Sequence, residues 1–271
     1  MLGVDMAGEV VALGPDVGDD FQIGNRVCGH ANLVENGTFA EYVVMHAYSL
    51  VKVPANVSNE QAAAILCAGM SAYQAINRKA NLVGKLTVLI HGGAGGVGLI
   101  AIQLAKQLGL YVITTVSSQK IEFVKSLGAD DIIDYRHDNV TERVLDITND
   151  VGVDLSINPV SSAEVQEDIN ERLAYNGQVI GLVDLPRNID VDLLASRGIT
   201  VSALNLGGAH QSKSDSQNQD LALMAQSLLT ILATHEIDSK IEATLPFDQL
   251  MDGLEMIKSH RNTGKIIVTL K

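Results

Sequence analysis

The rhythm of apolar and polar positions changes along this chain. Over residues 1–60, short Val-rich runs alternate with turn-forming clusters. Residues 8–13 (GEVVAL), 25–29 (NRVCG), 39–45 (FAEYVVM) and 50–54 (LVKVP) predict short strands. GPDVGDD, NLVENG and PANVSN predict the turns between them. Near Ser58 the pattern becomes helical. SNEQAAAILCAG opens with a Ser capping signal, and GMSAYQAINRKANL predicts a second helix close behind it.

From Leu86 onward strands and helices alternate. LTVLI, YVITTV, DDIIDY, VDLSI, QVIGLV and ITVSAL predict strands. GLIAIQLAKQLG, SQKIEFVKSLG, NVTERVLDITND and SAEVQEDINERLAYNG predict the intervening helices. Such alternation implies an α/β fold, a doubly wound parallel sheet with right-handed crossovers. The polar stretch 207–220 (GGAHQSKSDSQNQD) predicts a surface loop, LALMAQSLLTILATH an amphipathic helix, and IEATLPF, DQLMDGLEMIKSH and KIIVTLK a closing strand-helix-strand.

Composition narrows the functional classes. Hydrophobic residues make up 46% of the 271 residues and charged ones 19%, as expected of a soluble globular protein. Without Trp and with 4% aromatics, the core must be aliphatic, which suits buried parallel strands. A formal charge of −13 repels phosphate backbones and anionic lipid, so neither nucleic acid nor membrane is an expected partner. The N-terminus lacks a basic segment and does not read as a signal peptide. Two cysteines, Cys28 and Cys67, make neither a disulfide framework nor a four-thiolate zinc lobe, and free thiols fit a cytoplasmic location.

The most specific motif is HGGAGGVG, residues 91–98. Gly93, Gly95 and Gly98 satisfy G-x-G-x-x-G between a strand and a long helix, the context in which backbone amides and a helix N-terminus hold a dinucleotide pyrophosphate. Gly93 is expected to permit a tight turn, Gly95 to admit the phosphates, and Gly98 to let the helix pack on the strand. Ala94, Gly96 and Val97 complete the predicted loop. NAD sites carry an acidic residue about 20 residues on, at the end of the second strand. Here that place holds Ser117, Ser118 and Lys120, which would receive a 2′-phosphate, so NADP is the expected cofactor. Tyr135 and Arg136, ending the third strand, lie beside the expected adenosine pocket.

Taken together, LGVDMAGEVVALG, GTFAEYVV, LCAGMSAYQAI, VLIHGGAGGVGLIAIQLAKQLG, LGADDIIDY and TGKIIVTL resemble the medium-chain dehydrogenase/reductase superfamily, and most closely its zinc-free quinone oxidoreductase branch. The resemblance implies a GroES-like β domain (residues 1–67 and 211–271, N-terminally incomplete) and a Rossmann domain (68–210). It implies hydride transfer from NADPH to a quinone or activated enone by a homodimer or homotetramer. In dimers of this family the last Rossmann strand pairs edge to edge, here near 199–203.

Three departures bear on the chemistry. Zinc-dependent relatives carry Gly-His-Glu where this chain has Gly3-Val4-Asp5, and Val4 has no donor atom. Cys67 matches another zinc-ligand position, but one thiolate plus Asp5 is a poor site, and the seven histidines show no metal spacing, so no metal is expected. The stretch starting at Leu2 occurs several dozen residues into family members, so the opening strands and part of a cleft wall are expected to be missing, with apolar surface exposed. INPVSS (157–162) replaces an acidic, glycine-containing turn; Asn158 there could bond a ribose or amide. Asn32, Tyr42, Ser71 and Tyr73 are candidate hydrogen-bond donors to the developing oxyanion, with structural roles at least as open, and no catalytic residue is assigned. A zinc alcohol dehydrogenase relative and a non-catalytic NADP-binding protein stand as the alternatives.

Overall fold

The computed structural model describes residues 2–32, 34–212, 214–259 and 261–270; Leu33, Lys213, His260 and Lys271, which fall in turns, a helix and a strand predicted above, lie outside the described residues. The chain divides into two compact units, Met1–Met70 with Leu206–Lys271, and Ser71–Asn205.

In the first unit, β1 (Asp5–Glu9), β2 (Arg26–His30) and β3 (Leu50–Lys52) form an antiparallel sheet in that order. The register sets Asp5 opposite His30 and Ala7 opposite Cys28. α1 (Asn59–Ala64) starts at a reciprocal capping box: Gln61 N–H donates to Ser58 Oγ at 3.1 Å, and Ser58 N–H to Gln61 Oε1 at 3.0 Å. α2 (Cys67–Tyr73) follows, running into a π-helical stretch, Gln74–Lys79.

The second unit continues with β4 (Thr87–Ile90), α3 (Gly96–Gln107), β5 (Tyr111–Val116), α4 (Ile121–Ser126), β6 (Asp131–Asp134), α5 (Val140–Thr148), β7 (Val153–Asn158), α6 (Ser162–Glu167), β8 (Leu173–Gly181), α7 (Val191–Arg197) and β9 (Thr200–Ala203). Its six strands are all parallel, in the order β6-β5-β4-β7-β8-β9. The strand order reverses between β4 and β7, so the carboxyl ends of those two strands open a crevice, the usual ligand position of a doubly wound sheet. Leu89, Ile113, Ile133, Val153, Val165, Ile169, Leu173 and Val179 build the aliphatic core that the composition anticipates. Asn139, Ser161 and Asp190 cap α5, α6 and α7 through their side chains.

The chain then returns to the first unit with α8 (Asp215–Ala233), β10 (Ile241–Pro246), α9 (Leu250–Lys258) and β11 (Lys265–Thr269); β10 and β11 pair in parallel.

Several elements depart from the sequence pattern. Residues 39–45 do not form a strand, and β1 ends at Glu9 instead of running to Leu13. The predicted loop 207–220 holds a 3₁₀ turn, Leu206–Gln211, and the start of α8. Its residues 215–220 open a helix that buries Leu221, Met224, Leu228 and Leu232 along one face. The helix expected over 162–177 stops at Arg172, and residues 173–177 belong to β8. Asn176 adopts a left-handed φ of 58° beside Gly177, a conformation that breaks a helix and is tolerated where a strand bulges.

An apolar trough of about 1010 Å³ runs along the first unit, lined among others by Val10, Val11, Phe21, Phe39, Leu254 and Val268. Open apolar surface of this kind binds hydrophobic dyes. Folded protein without denaturant is therefore expected to enhance anilinonaphthalene sulfonate fluorescence several-fold; no enhancement over buffer would mean that the trough is closed in solution. Among the described residues, no helix is long and apolar enough to cross a membrane.

Candidate functional site

The loop between β4 and α3 is tied down on both sides. His91 N–H donates to Ile157 O at 3.1 Å, Gly92 N–H to Thr115 Oγ1 at 3.1 Å and Gly93 N–H to Thr115 O at 3.1 Å. The glycines divide the work differently from the expectation. The left-handed turn is made by Gly92, with φ 63°, and not by Gly93. A Cβ on Gly93 would lie 2.1 Å from Thr114 Oγ1, so Gly93 is where the loop presses onto β5. A Cβ on Gly98 would lie 2.4 Å from Gly92 O and 2.7 Å from Gly93 Cα, so α3 packs on the loop itself.

At Gly95 the same test finds only Gly92 O, at 3.2 Å, and Gly95 is exposed. Gly95 is also the N-cap of α3, and no side chain caps that helix. The first-turn amides of Gly96, Val97 and Gly98 therefore have no intrahelical partner and converge at the positive end of a twelve-residue helix. This rim, with Ala94 buried beneath it, fits a pyrophosphate.

The second predicted group assembles at the carboxyl ends of β5 and β6. These strands are paired, with Val116 opposite Asp134, and Tyr135 N–H donates to Val116 O at 3.1 Å. Ser117 is buried, Ser118 is exposed, Lys120 is half-buried and Tyr135 is 51% exposed. A carboxylate from the next strand, Asp134, joins this group. Ser118 Oγ donates to Asp134 Oδ2, and Arg136 N–H donates to Asp134 Oδ1 at 3.1 Å. The Ser118 hydroxyl, followed by the Arg136 amide and the nearby His137 and Arg136 charges, holds the Asp134 carboxyl below the ordinary range. The sequence hid this because Asp134 lies on the third strand and reaches Ser118 only through the sheet register.

Beneath the loop lies a buried polar network that sequence reasoning missed. Asp168, fully buried in the π-helical turn Asp168–Arg172, accepts from His91 Nε2 at 3.0 Å, Ser156 Oγ at 2.7 Å, Asn158 Nδ2 at 3.1 Å and Arg172 Nη1 at 3.2 Å. Arg172, itself buried, also donates to Glu164 Oε2 at 2.5 Å and to Thr141 Oγ1 at 2.9 Å. Burial alone would raise the Asp168 carboxyl, but His91, Ser156 and Arg172 outweigh it and hold the pKa low. Asn158 is corrected from a ribose ligand to a structural clamp. Its amide nitrogen is given to Asp168, and its oxygen accepts Val160 N–H at 3.1 Å and Ser161 N–H at 3.3 Å.

In the first unit, a third cluster forms. One donor atom each from Asp5, His30 and Cys67 lies within 4.8 Å of the others. Asp5 and His30 face each other across the β1–β2 pair, and Cys67 N–H, at the start of α2, donates to Asp5 Oδ1 at 2.9 Å. The sequence offered Asp5 and Cys67; His30 joins them only through the register, which no spacing rule reveals. His30 Nδ1 hydrogen-bonds His210 Nε2 at 2.8 Å, with the rings stacked 5.1 Å apart. Burial pushes the Asp5 carboxyl up to about 6 against the pull of Lys265 and the Cys67 amide. Burial and the Asp5 charge raise the Cys67 thiol to about 11, and burial and His210 lower His30 to about 4. A carboxylate, a neutral imidazole and a thiol are the donor types that zinc takes.

The four donor candidates are divided between the two units. Asn32 closes a local turn, donating to Glu35 Oε1 at 2.9 Å and accepting Val34 N–H at 3.1 Å. Tyr42 is 74% exposed on the trough. In the second unit, Ser71 is buried and the Tyr73 ring lies under the Arg78 guanidinium at 5.8 Å.

Comparison with known proteins places this geometry. Residues 1–55 match the family model described as alcohol dehydrogenase GroES-like domain, and residues 96–226 match that of the zinc-binding dehydrogenases. A quinone oxidoreductase of Pseudomonas aeruginosa is 40% identical over 149 residues, which is 55% of this chain and 45% of that protein's length. The crystal structure of a Pseudomonas syringae quinone oxidoreductase superposes with a TM-score of 0.85 at 29% identity, covering 98% of this chain and 81% of its own. A mycobacterial protein solved in complex with NADPH gives a TM-score of 0.85 at 26% identity, with coverage of 98% and 81%. The chain belongs to the medium-chain dehydrogenase/reductase superfamily, in its quinone oxidoreductase branch.

Proposed function

We propose that this chain is an oxidoreductase that binds NADPH on the Gly92–Gly98 loop and reduces a quinone or an activated enone. The observation that carries the reading is the uncapped first turn of α3, bordered by a glycine whose missing Cβ leaves room for a phosphate. Gly93 and Gly98 hold the loop in shape, while the first-turn amides of Gly96, Val97 and Gly98 border the pyrophosphate, with Ala94 and Gly95 completing its seat. NADPH supplies a hydride to an electron-poor carbon; the protein's task is to orient the cofactor and exclude water. Lys120 faces the 2′-phosphate, Ser117 and Ser118 shape its seat, and Tyr135 covers the adenosine. A homodimer would extend the sheet through β9, which among the described residues is paired on one side only, to β8.

Support for the nucleotide comes from the mycobacterial relative solved with NADPH, and for the quinone from the two Pseudomonas relatives. Asp134 favours a second reading, NADH, since a carboxylate at this end of the sheet suits a free ribose hydroxyl.

Fluorescence titration with both nucleotides decides between them. NADPH is expected to bind at least tenfold more tightly than NADH. A charge-assisted bond to phosphate contributes about 1.5–3 kcal/mol, so Lys120→Ala should weaken NADPH about 10–100-fold and leave NADH unchanged. Equal loss for both nucleotides would remove Lys120 from the phosphate. Turnover is read from NADPH oxidation with phenanthrenequinone and with an enone; binding without oxidation of either would leave a nucleotide-binding protein only.

A further inference from the structure

We propose that His91 is a positioning residue for the nucleotide: through Asp168 it locks the Gly92–Gly98 loop to the turn that follows β7, and so keeps the pyrophosphate seat in shape. The inference rests on the nucleotide reading above and names the residue that sets the geometry of that same seat. Three observations meet here.

First, His91 stands where the loop leaves the sheet. It follows Ile90, the last residue of β4, and precedes Gly92, whose left-handed φ of 63° starts the loop. Its N–H is held by Ile157 O of β7 at 3.1 Å. A shift of His91 passes into the loop, because planar peptides leave only φ and ψ to absorb it.

Second, the side chain does more than fill space. The ring is buried, Nε2 lies 3.0 and 3.1 Å from the two Asp168 oxygens, and Nδ1 lies 4.0 Å from Glu164 Oε2. Burying ionic groups carries a desolvation cost that aliphatic side chains of similar volume avoid. What the network adds is direction, since a hydrogen bond to the carboxylate holds the ring in one orientation.

Third, Asp168 carries the restraint across the crevice. It also accepts from Asn158 Nδ2 at 3.1 Å, and Asn158 Oδ1 accepts Val160 N–H at 3.1 Å and Ser161 N–H at 3.3 Å, which shapes the turn between β7 and α6. Val160 Cγ2 lies 3.4 Å from the place a Cβ on Gly92 would take, so this turn also packs on the start of the loop. The two walls at the switch point, where a doubly wound sheet holds its ligand, thus share one buried carboxylate.

The test titrates purified full chain with NADPH and with ADP, well below its melting temperature. ADP keeps the pyrophosphate and lacks the nicotinamide. His91→Leu should weaken both ligands by the same factor, about 10–100-fold, since a 1 Å misplacement of a positioning element costs up to about a hundredfold. His91→Gln keeps a donor near the place of Nε2 and should bind both ligands nearly as the wild type does. Val153→Ala controls for stability alone: Val153 is buried at the amino end of β7, away from the crevice. That variant should melt lower and bind both ligands as before. Asn158→Ala leaves the His91–Asp168 bond and cuts the link to the turn. It should lose ADP as well as NADPH, which a contact between Asn158 and the nicotinamide would not produce, and it carries the test if His91→Leu does not fold. Unchanged affinity in His91→Leu or in Asn158→Ala would overturn the proposal, as would an equal loss in His91→Gln or Val153→Ala. Wild-type protein that binds neither NADPH nor ADP would instead overturn the nucleotide reading, and this inference with it.

Discussion

Asp168→Ala is expected to lower the melting temperature by about 10 °C. The substitution removes the acceptor shared by His91, Ser156, Asn158 and Arg172 and leaves Arg172 buried with its charge uncompensated on that side. Breaking a buried pair by deleting one partner costs about 3–5 kcal/mol, and each kcal/mol is worth about 2–4 °C in a protein of this size. The effect has a pH signature. The folded Asp168 carboxyl titrates below the ordinary unfolded value of about 3.9, so its contribution is complete above that value and disappears as pH falls through the lower folded one. Thermal melts of wild type and variant should therefore differ fully at neutral pH and converge in strong acid. A drop of less than about 2 °C at pH 7 would mean that the network relaxes onto Glu164 and Thr141, which already bind Arg172.

The second large effect concerns nucleotide binding. In Gly98→Ala the new Cβ would sit 2.4 Å from Gly92 O, where ordinary contact begins at 3.4 Å. The obstacle is backbone, so the loop itself must move by about 1 Å. A displacement of that size in a positioning element costs about a hundredfold. NADPH affinity in Gly98→Ala should fall by that factor, with a lower melting temperature of the nucleotide-free protein. Gly95→Ala provides the contrast. Its Cβ meets only Gly92 O at 3.2 Å, and the backbone there is extended at φ −79°, which alanine accepts. That variant should melt like the wild type and still lose NADPH. Titration and melting of the two proteins side by side separate a residue that shapes the loop from one that leaves room for the ligand. Unchanged NADPH affinity in Gly95→Ala would remove the phosphate from the first turn of α3.

What could be read in advance divides by the range of the interaction. The alternation of LTVLI, YVITTV and DDIIDY with helical stretches predicted the parallel sheet, because strand and helix periods are local. Ser58 announced α1 because its cap is closed by Gln61, three residues on. The errors were also local in origin. Residues 39–45 have strand composition and form no strand, and the polar start of α8 resembled a loop until its apolar face was packed.

By itself, then, the sequence determined the fold class and the aliphatic composition of the core, and it marked the glycine loop before α3, because strand and helix periods and turn residues are legible along the chain. Only the tertiary structure decided which side chains meet. Strand register set His30 opposite Asp5 and brought Asp134 to Ser118. A π-helical turn carried Asp168 under His91, 77 positions away in the chain. Hydrogen bonds and ion pairs act over a few ångströms in space whatever the separation along the backbone, so their partners become definite only once sheet pairing and helix packing have fixed the geometry.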